Sequence, residues 1–242
     1  TPPKSGEIEK MPAAPIHLGR VPAKQAKRVA TALYRVLRDS TATDEIVVAE
    51  EITAQEQLRY WLRDGIFESG EGRRLYSQRP EIAATDLDTL RALPDDSLGR
   101  EFARFLDDHS ISLAGLAQGT PFTEGDDEAY LMRRIRQCHD LWHVLLGLGT
   151  EGHEEVLVHC FSVAQTGFPY SLIVIGLGSL KHMVLEGRWS TLRTETRAAW
   201  RCGANAAPIL GVFWEERWSQ PLAMVRRELG IEVIGAQAVA AA

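Results

Sequence analysis

The run His139-Asp140-Leu141-Trp142-His143 holds the residues in this chain best suited to chemistry. In a helix, at about 100° per residue, both histidines and the aspartate fall within an arc of roughly 100°, so one face presents two imidazoles and a carboxylate. Glu155 follows twelve residues after His143, in an otherwise apolar stretch where an unpaired carboxylate is costly to bury. Two neutral imidazoles and two carboxylates offer mixed nitrogen and oxygen donors, suited to zinc and equally to divalent iron, manganese or cobalt. The same helical pattern occurs in zinc hydrolases, where the acid beside the first histidine is the general base. The bland alternative makes His139 and His143 satisfied core histidines and pairs Asp140 or Glu155 with nearby arginines. That alternative accounts for any one of the four, and the joint spacing favours a metal.

Arg133, Arg134 and Arg136 precede the motif. As a cationic cluster they are candidates for holding a carboxylate or phosphate on a ligand, against the alternative of a solvated helical face. His153 and His159 flank Glu155 and are either supporting groups or ordinary histidines. Cys138, Cys160 and Cys202 lack the pairing of a disulfide framework or a CxxC zinc site. They are expected to be small core residues in a reducing compartment.

Helices must position these groups. Asp126 opens a helix running to about Leu146, closed by Gly147-Leu148-Gly149, and a second runs from about Glu151 to Thr166, stopped by Gly167 and Pro169. The glycine turn makes an antiparallel hairpin in which Glu155 faces back towards His143. Elsewhere, three- and four-residue spacing predicts helices over Ala23 to Arg38 (Val29, Leu33, Val36, Leu37), Thr43 to Ile52, Ala54 to Phe67 and Leu98 to Asp108. Short pieces are expected at Arg73 to Ser77 and from Thr85, and Gly115 to Gly125 reads as a loop. Leu172 to Met183, Thr191 to Leu210 and Val212 to Leu229 complete an all-α chain with no alternating hairpin pair and no internal repeat.

With 242 residues, 45% apolar and 25% charged, the chain resembles an ordinary globular protein. A single helical domain is expected over residues 23–232, preceded by a flexible N-terminal arm (1–22) and followed by a short tail (233–242). The net charge of −6 argues against a nucleic-acid partner, which needs a basic surface. The most apolar segment, Leu172 to Leu180, is far short of the ~20 residues that span a bilayer. It is, with Trp189 and Trp200, the candidate wall of an apolar groove, or simply packed core.

On these residues the chain resembles the coenzyme Q (ubiquinone) biosynthesis protein four family, whose hallmark is HDxxH followed after eleven residues by Glu, here His139-Asp140-x-x-His143-x11-Glu155. The likeness continues in Leu93-Pro94-Asp95-Asp96-Ser97-Leu98-Gly99-Arg100-Glu101-Phe102, in Gln165-Thr166-Gly167-Phe168-Pro169, in Glu216-Arg217-Trp218 and in Arg227-Glu228-Leu229-Gly230-Ile231. The resemblance implies an all-helical fold and a zinc-type site made by His139, Asp140, His143 and Glu155. It also implies peripheral attachment to a membrane surface, and oxidative decarboxylation at ring carbon one of a polyprenyl-hydroxybenzoate precursor. Organisation of the other pathway enzymes is a further implied role. A non-catalytic lipid-binding scaffold with a structural metal is the alternative.

The family usually carries glycine before the ligand glutamate, whereas Glu154 stands there in this chain and adds a competing carboxylate. Residues 1–17 lack an Arg-rich amphipathic presequence, so the expectation is a bacterial protein or a mature form, with the cytoplasmic side of the inner membrane favoured and the mitochondrial matrix side as the eukaryotic counterpart. A homodimer is the expected oligomer.

Overall fold

In the computed structural model, residues 14–19, 21, 23–38, 42–63, 67, 70–117, 119–186 and 189–234 are described, apart from the side chains of 37, 43 and 180–191. The start of the expected arm (1–13), the tail from 235 and the Trp189 side chain lie outside these residues. The architecture is one all-helical domain. No strand forms among the described residues, where Ser97 and Pro221 make an isolated antiparallel bridge.

Helix α1 (Ala23–Arg38) buries Val29 and Ala32 against Val48 and Ile52 of α2 (Thr43–Arg63). Two helices were expected across α2, with a break near Thr53. The Thr53 hydroxyl instead donates to the Ala49 carbonyl at 2.7 Å, so the polar side chain is satisfied inside a continuous helix. Helix α3 (Gly70–Gln78) stops at Arg79, which has φ 49°, just before Pro80. Asp86 caps α4 (Leu87–Arg91) by accepting from the Asp88 N–H, and Ser97 caps α5 (Leu98–Asp108) by accepting from the Arg100 N–H. A single turn, α6 (Leu113–Leu116), encroaches on the expected loop.

The site-bearing helices α7 (Asp126–Leu146) and α8 (Gly152–Thr166) lie within a residue of the expected spans. Pro169 does more than terminate α8. It begins α9 (Pro169–Glu186), where its missing N–H costs nothing. Helix α10 (Trp189–Asn205) is shorter than expected. The expected single helix from Val212 to Leu229 is a 3-10 turn (Trp214–Glu216), a tight turn over 217–220 closed by the Gln220 N–H on the Arg217 carbonyl at 2.9 Å, and α11 (Leu222–Leu229).

The physical reason is that residues 218–222 bond to the start of α5 instead of to one another. Leu98 and Gly99 N–H groups donate to the Gln220 and Trp218 carbonyls at 2.8 Å, and Trp218 stacks on Phe102 at 5.5 Å. Gly99 permits this approach, because a Cβ there would lie 2.7 Å from Leu93 Cδ1 and 3.0 Å from Trp218 Cβ.

Helix α8 packs mainly on α10 and α9, while α7 packs on α2 and α5 and meets α8 at the site. One core runs through these elements, with Trp61, Trp142, Trp214, Phe102 and Phe161 among its buried side chains. All three cysteines are free and buried, and burial raises each thiol above its usual range. Residues 14–19, expected within the arm, dock on this core: the Ala14 N–H donates to the Ala164 carbonyl at 3.0 Å, and His17 stacks on Tyr60 at 4.1 Å.

Candidate metal centre

Gly147, with φ 69°, ends α7 in the left-handed conformation that glycine tolerates, and the chain turns at once into α8. Glu154 stabilises that turn. Its Oε1 accepts from the Gly149 N–H at 2.9 Å and its Oε2 from the Glu151 N–H at 3.1 Å. The anticipated competing carboxylate is therefore a helix cap. The Gly149 carbonyl meets His143 Nδ1 at 2.8 Å. A carbonyl only accepts, so Nδ1 carries the proton and Nε2 keeps its lone pair.

That lone pair belongs to a cluster. His139 Nε2 lies 3.2 Å from Glu155 Oε2 and 3.2 Å from His143 Nε2, and His143 Nε2 lies 3.5 Å from Glu155 Oε1. Donors bonded tetrahedrally at about 2.0–2.1 Å stand roughly 3.3 Å apart, so these spacings suit a single divalent ion. Among the described residues, His139, His143 and Glu155 form the set whose donor atoms all lie within 4.8 Å of one another. Asp140 borders the cluster without joining it, and no hydrogen bond holds its carboxylate among the described residues.

Burial and charge oppose each other throughout. Desolvation pulls the His139 imidazole down, but the hydrogen bond and charge of Glu155 outweigh it and raise its pKa. Desolvation would lift Glu155, yet hydrogen bonds and charges from His139 and His143 hold it far below the carboxylate range. Burial raises the Asp140 carboxyl against the pull of His139 and His143. His159 is depressed to about 3, chiefly by burial and then by the charge of His139, so it is a neutral imidazole. Its Nδ1 bonds Ser171 Oγ at 3.0 Å, and its ring lies 5.1 Å from that of His139.

The cluster opens on a cavity of about 700 Å³. His139, Glu155, Glu50, Arg136, His159 and Tyr170 give it a polar end, while α1, α2 and α9 contribute aliphatic walls that include Leu33, Ile46, Ile173 and Leu177. Part of the Leu172 to Leu180 segment thus lines a groove. Trp200 lies outside the lining and is 37% exposed. His153 sits on the first turn of α8, outside both cluster and cavity lining.

The three arginines part company. Arg133 pairs with Glu81 at 3.0 Å. Arg134 is fully buried, donating to both Glu215 oxygens at 2.5 and 3.1 Å and to the Val212 carbonyl at 3.1 Å. Only Arg136 of the three reaches the cavity, held by Glu50 at 2.8 Å and Glu51 at 2.7 Å. Those two acids went unrecognised in the sequence. Their signal is two consecutive carboxylates set in the apolar run Val47-Val48-Ala49-Glu50-Glu51-Ile52.

Fold and site define an all-helical domain with a two-histidine, one-glutamate cluster at the polar end of an apolar-walled cavity. The profile of the family described as coenzyme Q (ubiquinone) biosynthesis protein Coq4 matches residues 17–235, and the chain belongs to that family. It is thereby a ubiquinone-biosynthesis protein. The mitochondrial ubiquinone biosynthesis protein COQ4 homologue of Mus musculus is 34% identical over 221 residues, covering 90% of this chain and 81% of the relative. The Homo sapiens homologue is 33% identical over 225 residues, covering 91% and 80%. A crystal structure from Nostoc punctiforme PCC 73102, assigned provisionally to ubiquinone biosynthesis, superposes with TM-score 0.66 at 25% identity, covering 85% of this chain and 97% of that one. Among the described residues, no helix is long and apolar enough to cross a membrane.

Proposed function

We propose that this protein carries out metal-dependent oxidative decarboxylation at ring carbon one of a polyprenyl-hydroxybenzoate precursor with dioxygen as oxidant: one oxygen atom enters the ring as the hydroxyl, the carboxylate leaves as carbon dioxide, and a two-electron reductant takes the second oxygen atom to water. The observation that carries the reading is the junction of a His139, His143 and Glu155 donor set with an aliphatic-walled cavity. A charged aromatic head belongs at the polar end and a prenyl chain along the walls. His139, His143 and Glu155 would hold the ion, and Asp140, at the border of the cluster, would become a fourth donor only by turning its carboxylate inward. The donor types would suit zinc, iron, manganese or cobalt, and such an ion would supply Lewis acidity to the ring carboxylate.

The protein's own groups do the rest. The Gly149 carbonyl fixes the His143 tautomer, and Phe105, stacked on His143 at 5.4 Å, limits its ring motion. His159, neutral and bonded to Ser171, packs beside His139 without adding charge. A prenyl chain lying along the aliphatic walls would exclude water from the polar end. Peripheral attachment to the membrane holding such a lipid, a homodimeric state and association with other pathway enzymes belong to the same proposal.

The test is an assay of metal-reconstituted protein with a carboxylated polyprenylphenol and a two-electron reductant, following carbon dioxide release and labelled-dioxygen incorporation. Stoichiometric release with label in the ring hydroxyl is expected. Binding of the compound with no turnover under zinc, iron, manganese or cobalt would replace the enzyme reading with that of a lipid-binding scaffold.

A further inference from the structure

The cavity contains one carboxylate for which the metal reading has no use. Glu50 and Glu51 are consecutive on α2 and share Arg136, but they are not equivalent. Glu51 is fully buried and both its oxygens are engaged, Oε1 by Arg136 at 2.7 Å and Oε2 by the Phe122 N–H at 2.7 Å. It ties α2 to α7 and to the loop before it. Glu50 spends only Oε2, on Arg136 Nε at 2.8 Å. Its Oε1 has no hydrogen-bond partner among the described residues and is open to the cavity that the side chain lines together with His139 and Glu155.

Arg136 is committed as well. Its Nε serves Glu50, one amino group serves Glu51, and the other donates to the Gly119 carbonyl at 3.2 Å. The guanidinium is thus a brace that aims Glu50, with its charge already balanced, and it is a poor receptor for a ligand's carboxylate. What the polar end offers a ligand, beyond the donor set, is an acceptor. Once a ligand covers it and displaces water, a half-satisfied carboxylate is stabilised by a hydrogen-bond donor and penalises a ligand that lacks one.

We propose that Glu50 reads the phenolic hydroxyl of the aromatic ligand, its Oε1 accepting that hydrogen while Arg136 holds its Oε2. This rests on the reading above that the cavity takes a hydroxybenzoate ring. Aromatic side chains beside it, Tyr170, Phe168 and Trp142, supply flat apolar surface for such a ring. Glu50 is in this account a specificity-determining residue, separate from the groups that hold the ion. A site built to bond a hydroxyl discriminates strongly against an analogue without it.

The experiment uses the full chain loaded with zinc and two probes, 3-geranyl-4-hydroxybenzoate and its 4-methoxy counterpart, with binding read by calorimetry. The wild type is expected to prefer the hydroxyl compound by roughly tenfold or more, the scale of a hydrogen bond to a charged group. Glu50→Gln keeps the side-chain volume and an oxygen for Arg136, and is expected to lose most of that preference while binding zinc as the wild type does. Glu50→Leu is expected to abolish it. If both compounds bind the wild type equally, or Glu50→Gln retains the full preference, the assignment to Glu50 is overturned and the donor set is untouched. If zinc binds but neither compound does, the hydroxybenzoate reading falls and takes this assignment with it.

Discussion

Glu154 and Glu155 are adjacent carboxylates with opposite jobs, and substituting each in turn separates them. Glu154→Ala removes the acceptor for two backbone N–H groups, those of Gly149 and Glu151. A lost helix cap costs about 1 kcal/mol, and a second lost hydrogen bond at a partly buried turn adds about 1 kcal/mol. For a chain of this length, each kcal/mol moves the melting temperature by about 2–4 °C, so a fall of roughly 4–8 °C is expected in metal-free protein. The same turn carries the Gly149 carbonyl that orients His143, and loosening such an outer partner weakens metal binding by about tenfold. Glu155→Ala deletes a donor and should weaken zinc binding far more. Competition against a chromophoric chelator gives the affinities, and circular dichroism at 222 nm gives the melting curves. Equal loss of zinc affinity in the two variants would refute the division of labour, as would an unchanged melting temperature in Glu154→Ala.

Other outcomes follow from the same contacts. Arg134→Met leaves the Glu215 carboxylate and the Val212 carbonyl without their buried donor, and should destabilise the fold by about 3–5 kcal/mol, measured by urea unfolding, with unchanged zinc affinity in the folded fraction. Gly167→Ala places a Cβ against the Pro15 carbonyl at φ 67°, and should cost about 1–3 kcal/mol in the same assay while exposing the 14–19 segment to limited proteolysis. Two histidines act on the metal-free protein in opposite senses: His159, depressed in the fold, adds stability as pH rises to 6.5, whereas the His139–Glu155 pair loses its contribution only above that value, so stability should fall with pH above 6.5. Although burial opposes it, Glu155 lifts His139 above its ordinary 6.5, so the pair's contribution is complete below that value and disappears as pH climbs through the raised one. Zinc needs the neutral imidazole, so the zinc-induced rise in melting temperature should grow between about pH 6 and about pH 8; a shift independent of pH would contradict the imidazole ligands.

The helices and three members of the site were legible because they rest on local rules. The 3.6-residue period of α5, α7 and α8 and the left-handed glycines Gly147 and Gly167 are written in neighbouring residues. Pairings between distant segments were not. Nothing near Arg134 in the sequence announces Glu215, which lies on a turn made irregular by hydrogen bonds from Leu98 and Gly99 to residues 218 and 220. Arg136 looked like a ligand-binding cation because its partners, Glu50 and Glu51, lie 85 or more residues away on α2. Glu154 looked like a rival donor because residue type says nothing about which way a side chain points from a helix N-terminus. The family likeness carried the donor set further than spacing alone, and it was the local turn geometry that distinguished Glu154 from Glu155.

X-ray absorption at the zinc edge, on protein reconstituted with one equivalent of zinc, addresses the donor set most directly. The expected spectrum has two imidazoles and oxygen donors at about 2.0–2.1 Å with no sulfur, and loses one of its two imidazoles or its bound metal in His143→Ala. A sulfur shell, or an unchanged spectrum with full occupancy in that variant, would place the metal elsewhere and contradict the assignment of His139, His143 and Glu155.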